Sequence, residues 1–255
     1  MLEAEQLYVS LAGRDVLSGA TLRLEPGSFA VIVGPNGAGK TTLMRALTGD
    51  LPARSGAVRF EGRPIADWRG RDLARRRAVL PQSSHLAFPF SVHEVVALGL
   101  RAGGNPHRET ARTVIEALAR VGLDGYAGRF YQQLSGGEQQ RVHLARVLCQ
   151  LGAPVEGGAP NWLFLDEPTA SLDIRHQFEI LDLARDHVRG GGGGLAILHD
   201  LNMAAQYADR LIVVGNGRIV ADGPPADVLT DDLVENVFGV AANRFLRRDL
   251  QARSA

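Results

Sequence analysis

Phe29-Ala30-Val31-Ile32-Val33, followed by Gly34-Pro35-Asn36-Gly37-Ala38-Gly39-Lys40-Thr41, decides how the chain is read. Five apolar residues rich in β-branched side chains and closed by glycine have the pattern of a buried strand. The next eight fit G-x-x-x-x-G-K-[ST], and Thr41–Leu47 takes up a helical pattern, so the loop lies between a strand and a helix. Glycines allow such a loop to wrap phosphates with backbone N–H groups, and the helix N-terminus adds a favourable dipole. Lys40 supplies a mobile charge for β- and γ-phosphates, and the Thr41 hydroxyl is a ligand for Mg²⁺. The candidate phosphate contacts are therefore Gly34, Pro35, Asn36, Gly37, Ala38, Gly39, Lys40, Thr41 and Thr42.

The lysine itself is informative. Of 28 basic residues only Lys40 is lysine and the other 27 are arginine, so a chain that uses arginine elsewhere has lysine where a compact point charge is wanted. Those 28 are balanced by 28 acidic residues. A neutral chain lacks the basic excess of a general nucleic-acid binder, so no nucleic-acid partner is expected. At 255 residues it is one large domain or two small lobes, able to bury a core without disulfides or a structural metal. Cys149 has no second cysteine to pair with, which points to a reducing compartment. The first five residues are acidic rather than basic, unlike a signal peptide, and the apolar runs are strand-sized rather than membrane-spanning.

Beyond the loop, Leu22–Leu24, Leu163–Leu165, Leu195–Leu198 and Leu211–Val214 also read as strands, with helical patterns over Ile174–Val188 and Leu201–Tyr207. Alternation of strand and helix predicts an α/β fold with a largely parallel sheet. Leu2–Arg23 and Ala57–Phe60 have the pattern of antiparallel hairpins. From Val92 to Gln150 the chain reads as helical, over Val92–Leu100, Glu109–Val121 and Glu138–Leu151, and forms an expected helical lobe at about 84–152 inserted into the α/β core. Gly190–Gly194 opens onto a strand without a lysine and reads as a flexible connector. The five arginines of Trp68–Arg77 read as an exposed helix face.

Two further segments carry chemistry. Leu163-Phe164-Leu165-Asp166-Glu167 is an apolar strand ending in two carboxylates: Asp166 is placed to hold the Mg²⁺ shell and Glu167 to take a proton from attacking water. A guanine-reading Asn-Lys-x-Asp motif is impossible in a chain with one lysine, which excludes the GTPase class. Leu134-Ser135-Gly136-Gly137-Glu138-Gln139 contains a capping box, Ser135 with Glu138, at a helix start. Two glycines in the first turn cost about 1 kcal/mol each against alanine, and bare N–H groups at a positive helix end suit a phosphate.

On these motifs the chain resembles the ABC-transporter ATPases over nearly its whole length. The resemblance implies a P-loop NTPase (RecA-like) core with an antiparallel β-subdomain and an inserted helical signature lobe, together forming one nucleotide-binding domain over 1–255. It implies that ATP and Mg²⁺ bind, and that Ser135, Gly136 and Gly137 bind the γ-phosphate of ATP held by the other subunit of a head-to-tail homodimer. Gln82, after Val79-Leu80-Pro81, matches the Q-loop glutamine that touches Mg²⁺ and the attacking water. Ser171-Leu172-Asp173 matches the D-loop at the dimer seam, and His199 the switch histidine on the γ-phosphate. The remaining histidines, His85, His93, His107, His143, His176 and His187, show no metal-ligand spacing and are read as surface or packing residues. The family stacks adenine on an aromatic residue ahead of the first hairpin's Gly-Arg. Leu11 takes that place here, and Tyr8 would reach the base only with a shifted hairpin register.

Leu86–Val92, Gln139–Leu148, Trp162–Thr169 and the Gln150–Asn161 extension are similar to the haemin-import ATP-binding proteins of bacteria, and siderophore and cobalamin import ATPases share much of this pattern. The implied function is hydrolysis of ATP to drive haem import, on the cytoplasmic side of the inner membrane, with two transmembrane permease subunits and, indirectly, a periplasmic haem-binding protein. Phe88-Pro89-Phe90 is the candidate docking surface. ABC ATPases of DNA maintenance carry coiled coils or zinc inserts that this sequence lacks. A non-hydrolysing regulatory module would have lost Glu167 or His199.

Overall fold

The computed structural model describes residues 1–82, 86, 88–104, 110–170 and 172–240. The chain begins with β1 (Leu2–Leu11), β2 (Arg14–Leu24), β3 (Phe29–Val33), α1 (Lys40–Leu47), β4 (Ser55–Phe60) and β5 (Arg63–Pro64). Then follow α2 (Gly70–Arg76), β6 (Arg77–Leu80), α3 (Val92–Ala102), α4 (Thr110–Arg120), α5 (Gly136–Leu151), β7 (Val155–Glu156), β8 (Ala159–Pro160), β9 (Trp162–Asp166) and α6 (Ile174–Arg189). The last are β10 (Gly193–Ile197), α7 (Leu201–Tyr207), β11 (Arg210–Gly215), β12 (Arg218–Gly223), α8 (Pro225–Val228) and α9 (Asp231–Phe238). Contacts divide the chain into two units, Met1–Trp68 with everything from Gly193 onward, and Arg69–Gly192.

In the first unit, β3 lies between β10 and β11 and runs parallel to both, with Ile32 opposite Ile197 on one side and Ile212 on the other. All five residues of β3 and of β10 are buried, as expected where a parallel strand is covered on both faces. The antiparallel sheet is ordered β2-β1-β4-β5. Its central strand changes face midway: Leu2 and Ala4 are buried at even positions, Leu7 and Val9 at odd ones. Gln6, at φ 48°, absorbs the change, where the pairing with β2 shifts register. The irregularity at Gln6 thus keeps four apolar side chains on one core face that strict alternation would have divided.

In the second unit, α3, α4 and α5 occupy the expected helical region, α5 starting two residues before the expected Glu138. Glu109, His85 and His107 lie outside the described residues. Ser91 and Ser135 each close a capping box, with Glu94 and Glu138. Strand β9 is wholly buried and pairs in parallel with β6, Trp162 stacking on Phe164 at 6.2 Å between ring centroids.

Two expectations change. Gly190–Gly194 is no flexible connector: Gly193 and Gly194 belong to buried β10, and a Cβ on Gly192 would lie 2.3 Å from the His187 ring. The glycines are there because side chains crowd the turn. Nor are all the arginines of Trp68–Arg77 an exposed helix face. Arg76 is half-buried and donates to the Asn161 side chain at 3.1 Å and the Pro160 carbonyl at 3.0 Å, clamping the β7–β8 extension. Among the described residues no helix is long and apolar enough to cross a membrane.

Buried imidazoles make this fold acid-sensitive. His143 on α5 pairs through Nε2 with the Tyr131 hydroxyl at 2.8 Å, while Nδ1 has no partner among the described residues. Burial, reinforced by the charge of Arg146, pushes its pKa down to about 4. His187, bonded to the Asn161 carbonyl at 2.9 Å, is also lowered, chiefly by burial. The unfolded chain takes up a proton on each near pH 6.5 and the native chain does not, so stability falls as pH drops from there toward 4. Thermal melts should show Tm declining across that interval, His143 alone contributing on the order of 3 kcal/mol. His143→Gln should lower Tm at pH 7 and shrink the acid loss, and a wild-type Tm that stays level down to pH 4.5 would contradict the account.

Candidate functional site

Strand β3 delivers the chain into the phosphate loop against the carbonyl of Val214, where a Cβ on Gly34 would sit 2.1 Å from that oxygen. No side chain fits there. Gly39, at φ 102°, is the N-cap of α1 and offers no side-chain cap, so the first-turn N–H groups of α1 have no side-chain acceptor at the cap. Such a helix start is an anion site. The loop is tied from outside: Gly217 donates its N–H to the Ala38 carbonyl at 3.0 Å, and Ser18 donates to Gly217 at 2.9 Å. Lys40 is 5% exposed, and its Nζ donates to the carbonyls of Gly34 at 2.9 Å and Pro35 at 3.0 Å. The ammonium is thereby held over the loop it serves. His199 stands two residues past the end of β10 and is exposed. Because β10 and β3 are parallel, His199 and the loop leave the sheet at the same end.

In the second unit, register brings Gln82 and Glu167 together. Leu80 of β6 lies opposite Leu165 of β9, so Gln82 and Glu167, each two residues further on, emerge side by side. Gln82 Nε2 donates to Glu167 Oε2 at 2.6 Å. That bond fixes the amide with its nitrogen on the carboxylate and leaves the amide oxygen as an acceptor. Glu167 has φ 50°, a left-handed conformation that costs a non-glycine residue on the order of 1–3 kcal/mol and is typical of functional turns. Asp166, the last residue of β9, is buried. In this unit Asp166 and the Gln82 amide present oxygen atoms, and in the first unit the Thr41 hydroxyl does the same; oxygen is the ligand type that suits Mg²⁺. Among the described residues no group of three His, Cys, Asp or Glu side chains could hold a metal.

The second unit also holds a cavity of about 340 Å³ lined by Ser135, Gly136, Gly137, Glu138, Arg141, Leu172, Asp173 and His176. Here the signature segment and Asp173 come together; Ser171 lies outside the described residues. Ser135 Oγ accepts from the Glu138 N–H, and Glu138 Oε2 accepts from the Ser135 N–H at 2.8 Å. That bond, and one from the Tyr126 hydroxyl, hold the Glu138 carboxyl below the usual range. A Cβ on Gly136 would meet nothing within 4 Å, so packing within this chain does not require glycine there. Asp173 caps α6 and is held below the usual range, first by the His176 N–H.

Sequence reasoning missed two of the lining residues. Arg141 donates to the carbonyls of Val121 and Gly122 as well as facing the cavity. His176, read as a surface or packing histidine, lies in the cavity wall, and the available signal was its place three residues after the helix-capping Asp173. For adenine, Leu11 is exposed opposite Arg14, whereas Tyr8 points its hydroxyl at Gly19. Val16, not Tyr8, packs by the loop at Gly39.

A family model described as ABC transporter matches residues 17–170, more than half of the chain. The chain belongs to the ABC transporter family. Among relatives of this ABC transporter chain, a hemin import ATP-binding protein HmuV from Mesorhizobium japonicum is 54% identical over 241 residues, covering 93% of this chain and 91% of the relative. Its namesake from Rhizobium meliloti is 52% identical over 239 residues, covering 94% and 91%. A solved structure described as the ATP binding subunit of an ABC transporter superposes with a TM-score of 0.79 at 26% identity, over 89% of this chain and 91% of that one. The mixed α/β ABC ATPase fold expected from the motifs is the fold found.

The loop geometry of this ABC transporter chain yields a test. Gly34→Ala should abolish nucleotide binding, because a methyl group cannot share space with the Val214 carbonyl, while Lys40→Ala should fold normally and bind ATP at least tenfold more weakly. Titration with a fluorescent ATP analogue checks both; near-wild-type binding by Lys40→Ala would remove the lysine from its assigned place.

Proposed function

We propose that this chain is the ATP-hydrolysing subunit that energises import of haem across the bacterial inner membrane. The observation that carries hydrolysis is the bond from Gln82 to Glu167, which places a proton acceptor and an amide oxygen at adjacent parallel strand ends. Haem as the cargo is supported by relatives about half identical over nearly the full length, named for hemin import.

In this reading the whole of 1–255 is one nucleotide-binding domain, with the helices between about 84 and 152 as its signature lobe. The amides of Gly34–Thr42 and the Lys40 ammonium bind the β- and γ-phosphates of ATP, and Glu167 takes a proton from the attacking water. Gln82 orients that water and keeps the Glu167 carboxylate in line. His199 donates to the γ-phosphate. Mg²⁺, held by Thr41, Asp166 and Gln82, would neutralise charge on the β- and γ-oxygens. Ser135, Gly136, Gly137 and Asp173 serve the ATP of a second copy, so two chains complete each other's sites.

The chain sits peripherally on the cytoplasmic face of the inner membrane, bound to two permease subunits and acting indirectly with a periplasmic haem-binding protein. Phe88-Pro89-Phe90 is the docking surface: Phe88 is 69% exposed and meets Phe90 edge to face at 6.5 Å, and its carbonyl accepts from Gln132. Apolar groups exposed in this way mark a partner site.

Glu167→Gln should bind ATP, hydrolyse it at least a hundredfold more slowly, and accumulate as an ATP-bound dimer; light scattering that shows only monomer at saturating ATP and Mg²⁺ would count against shared sites. Reconstitution with the cognate permease and binding protein in liposomes should give haem uptake and haem-stimulated ATPase activity. Stimulation by a siderophore or cobalamin with haem inert would overturn the cargo while leaving the ATPase standing.

A further inference from the structure

Two helices of this chain start with the same device. In α3, Glu94 Oε2 accepts from the Ser91 N–H and the Ser91 hydroxyl, each at 2.8 Å, and Ser91 Oγ accepts from the Glu94 N–H at 3.3 Å. In α5, Glu138 Oε2 accepts from the Ser135 N–H at 2.8 Å and the Ser135 hydroxyl at 2.9 Å, and Ser135 Oγ accepts from the Glu138 N–H at 3.3 Å. The boxes differ at the second oxygen of the glutamate. Among the described residues nothing donates to Glu94 Oε1, whereas Glu138 Oε1 accepts from the Tyr126 hydroxyl at 2.8 Å. A box that only caps a helix does without this bond, and the box in the wall of the signature cavity has it.

Tyr126 is half-buried, and the Arg129 guanidinium lies over its ring, 3.9 Å from the centroid. A cation on that face is attracted to the ring and fixes its plane. The loop carrying Tyr126 is tied back to α5 one turn beyond Glu138, where Arg141 donates to the carbonyls of Val121 at 3.2 Å and Gly122 at 3.1 Å. Tyr126 does not line the cavity and reaches it only through Glu138.

A serine hydroxyl has one proton, and that of Ser135 is given to Glu138 in this structure. To donate to a phosphate oxygen, the hydroxyl must turn away from a carboxylate, which is a stronger acceptor than a neutral group. Three donors share that carboxylate. The Ser135 N–H lowers its pKa most, the Tyr126 hydroxyl next and the Ser135 hydroxyl least, so the bond to be surrendered is the weakest of the three. Two donors remain when it goes, one on each oxygen, and they keep the carboxylate plane fixed. In a single chain, water can replace a missing donor on Glu138. Beneath a second copy it is shut out, and Tyr126 then has no substitute.

We propose that Tyr126 is a positioning residue for the signature serine: by donating to Glu138 it keeps that carboxylate satisfied within the capping box, so that the Ser135 hydroxyl can turn from Glu138 to a phosphate oxygen of ATP held by a second copy. This role rests on the shared-site reading above and adds to it the group that releases the serine.

The test uses the full-length chain carrying Glu167→Gln, which keeps ATP intact during the measurement. Dimer dissociation constants at saturating ATP and Mg²⁺ are measured by sedimentation, and ATP binding by single chains with a fluorescent analogue below the pairing concentration. Tyr126→Phe should leave binding by single chains within about twofold and weaken pairing about tenfold, since two shared sites each lose a hydrogen bond to a charged group. When Glu138→Gln is also present the serine faces a neutral amide, so the same change at Tyr126 should cost less than about twofold. Glu138→Gln alone should pair at least as tightly as its parent, an expectation that stands even if Tyr126→Phe fails to fold. Equal losses from Tyr126→Phe with glutamate or glutamine at 138 would make the tyrosine a packing residue and overturn the proposal. So would no loss with either, or markedly weaker pairing by Glu138→Gln alone. Single chains that bind ATP while the parent forms no dimer overturn the shared-site reading and this role with it, whereas a dimer indifferent to the Tyr126–Glu138 bond overturns this role alone.

Discussion

Backbone N–H groups at helix starts are the constraint on which the site depends. Every α-helix begins with donors its own carbonyls cannot satisfy, and four of the starts here are handled in four ways. Helix α7 is capped fully within the chain, Asp200 accepting from Asn202 and Met203. Helix α6 is capped by Asp173, whose carboxylate also pairs with His176. In α5 the Ser135–Glu138 box satisfies the cap, but glycine follows at Gly136, where among the described residues a Cβ would meet nothing within 4 Å. Helix α1 begins at a glycine that can offer no side chain at all. Moving from α7 to α1, less of the start is satisfied internally and more is left for an anion. The α1 start belongs to the phosphate loop and those of α5 and α6 line the signature cavity.

Strand register performs the second task. A parallel pair places residues at equal distance past the last rung beside each other, so the glutamine and the glutamate meet without any loop having to be long. The positive φ of Glu167 turns the chain immediately after the buried Asp166. The two carboxylates of one strand end thereby acquire different surroundings, one enclosed and one presented to an amide, which is how adjacent acids come to do different work.

The phosphate loop was legible because its requirements are local: an apolar strand, glycines where the chain turns, and a lone lysine. The capping boxes were legible for the same reason. Gln82 could be named only by family resemblance, and its bond to Glu167 was not foreseen, since 85 positions separate the partners and nothing in either segment states the register that joins them. The face change in β1 was hidden because Gln6 is neither glycine nor proline, the residues that usually announce a bulge. Gly190–Gly194 misled because composition records the absence of side chains but not what crowds in to use the space; the His187 ring does so at Gly192. His176 was passed over because metal spacing was the pattern sought, and its partner is a helix-capping carboxylate.

The sole lysine also has a chemical consequence. The chain has one ε-amine, and it lies buried in the phosphate loop, bonded to the carbonyls of Gly34 and Pro35. A lysine-specific protease therefore has a single scissile bond, Lys40–Thr41, in the first turn of α1, and acylation of side-chain amines can occur at one place only. Reagents that elsewhere decorate a surface at random become, in this protein, gauges of whether the nucleotide loop is closed or open.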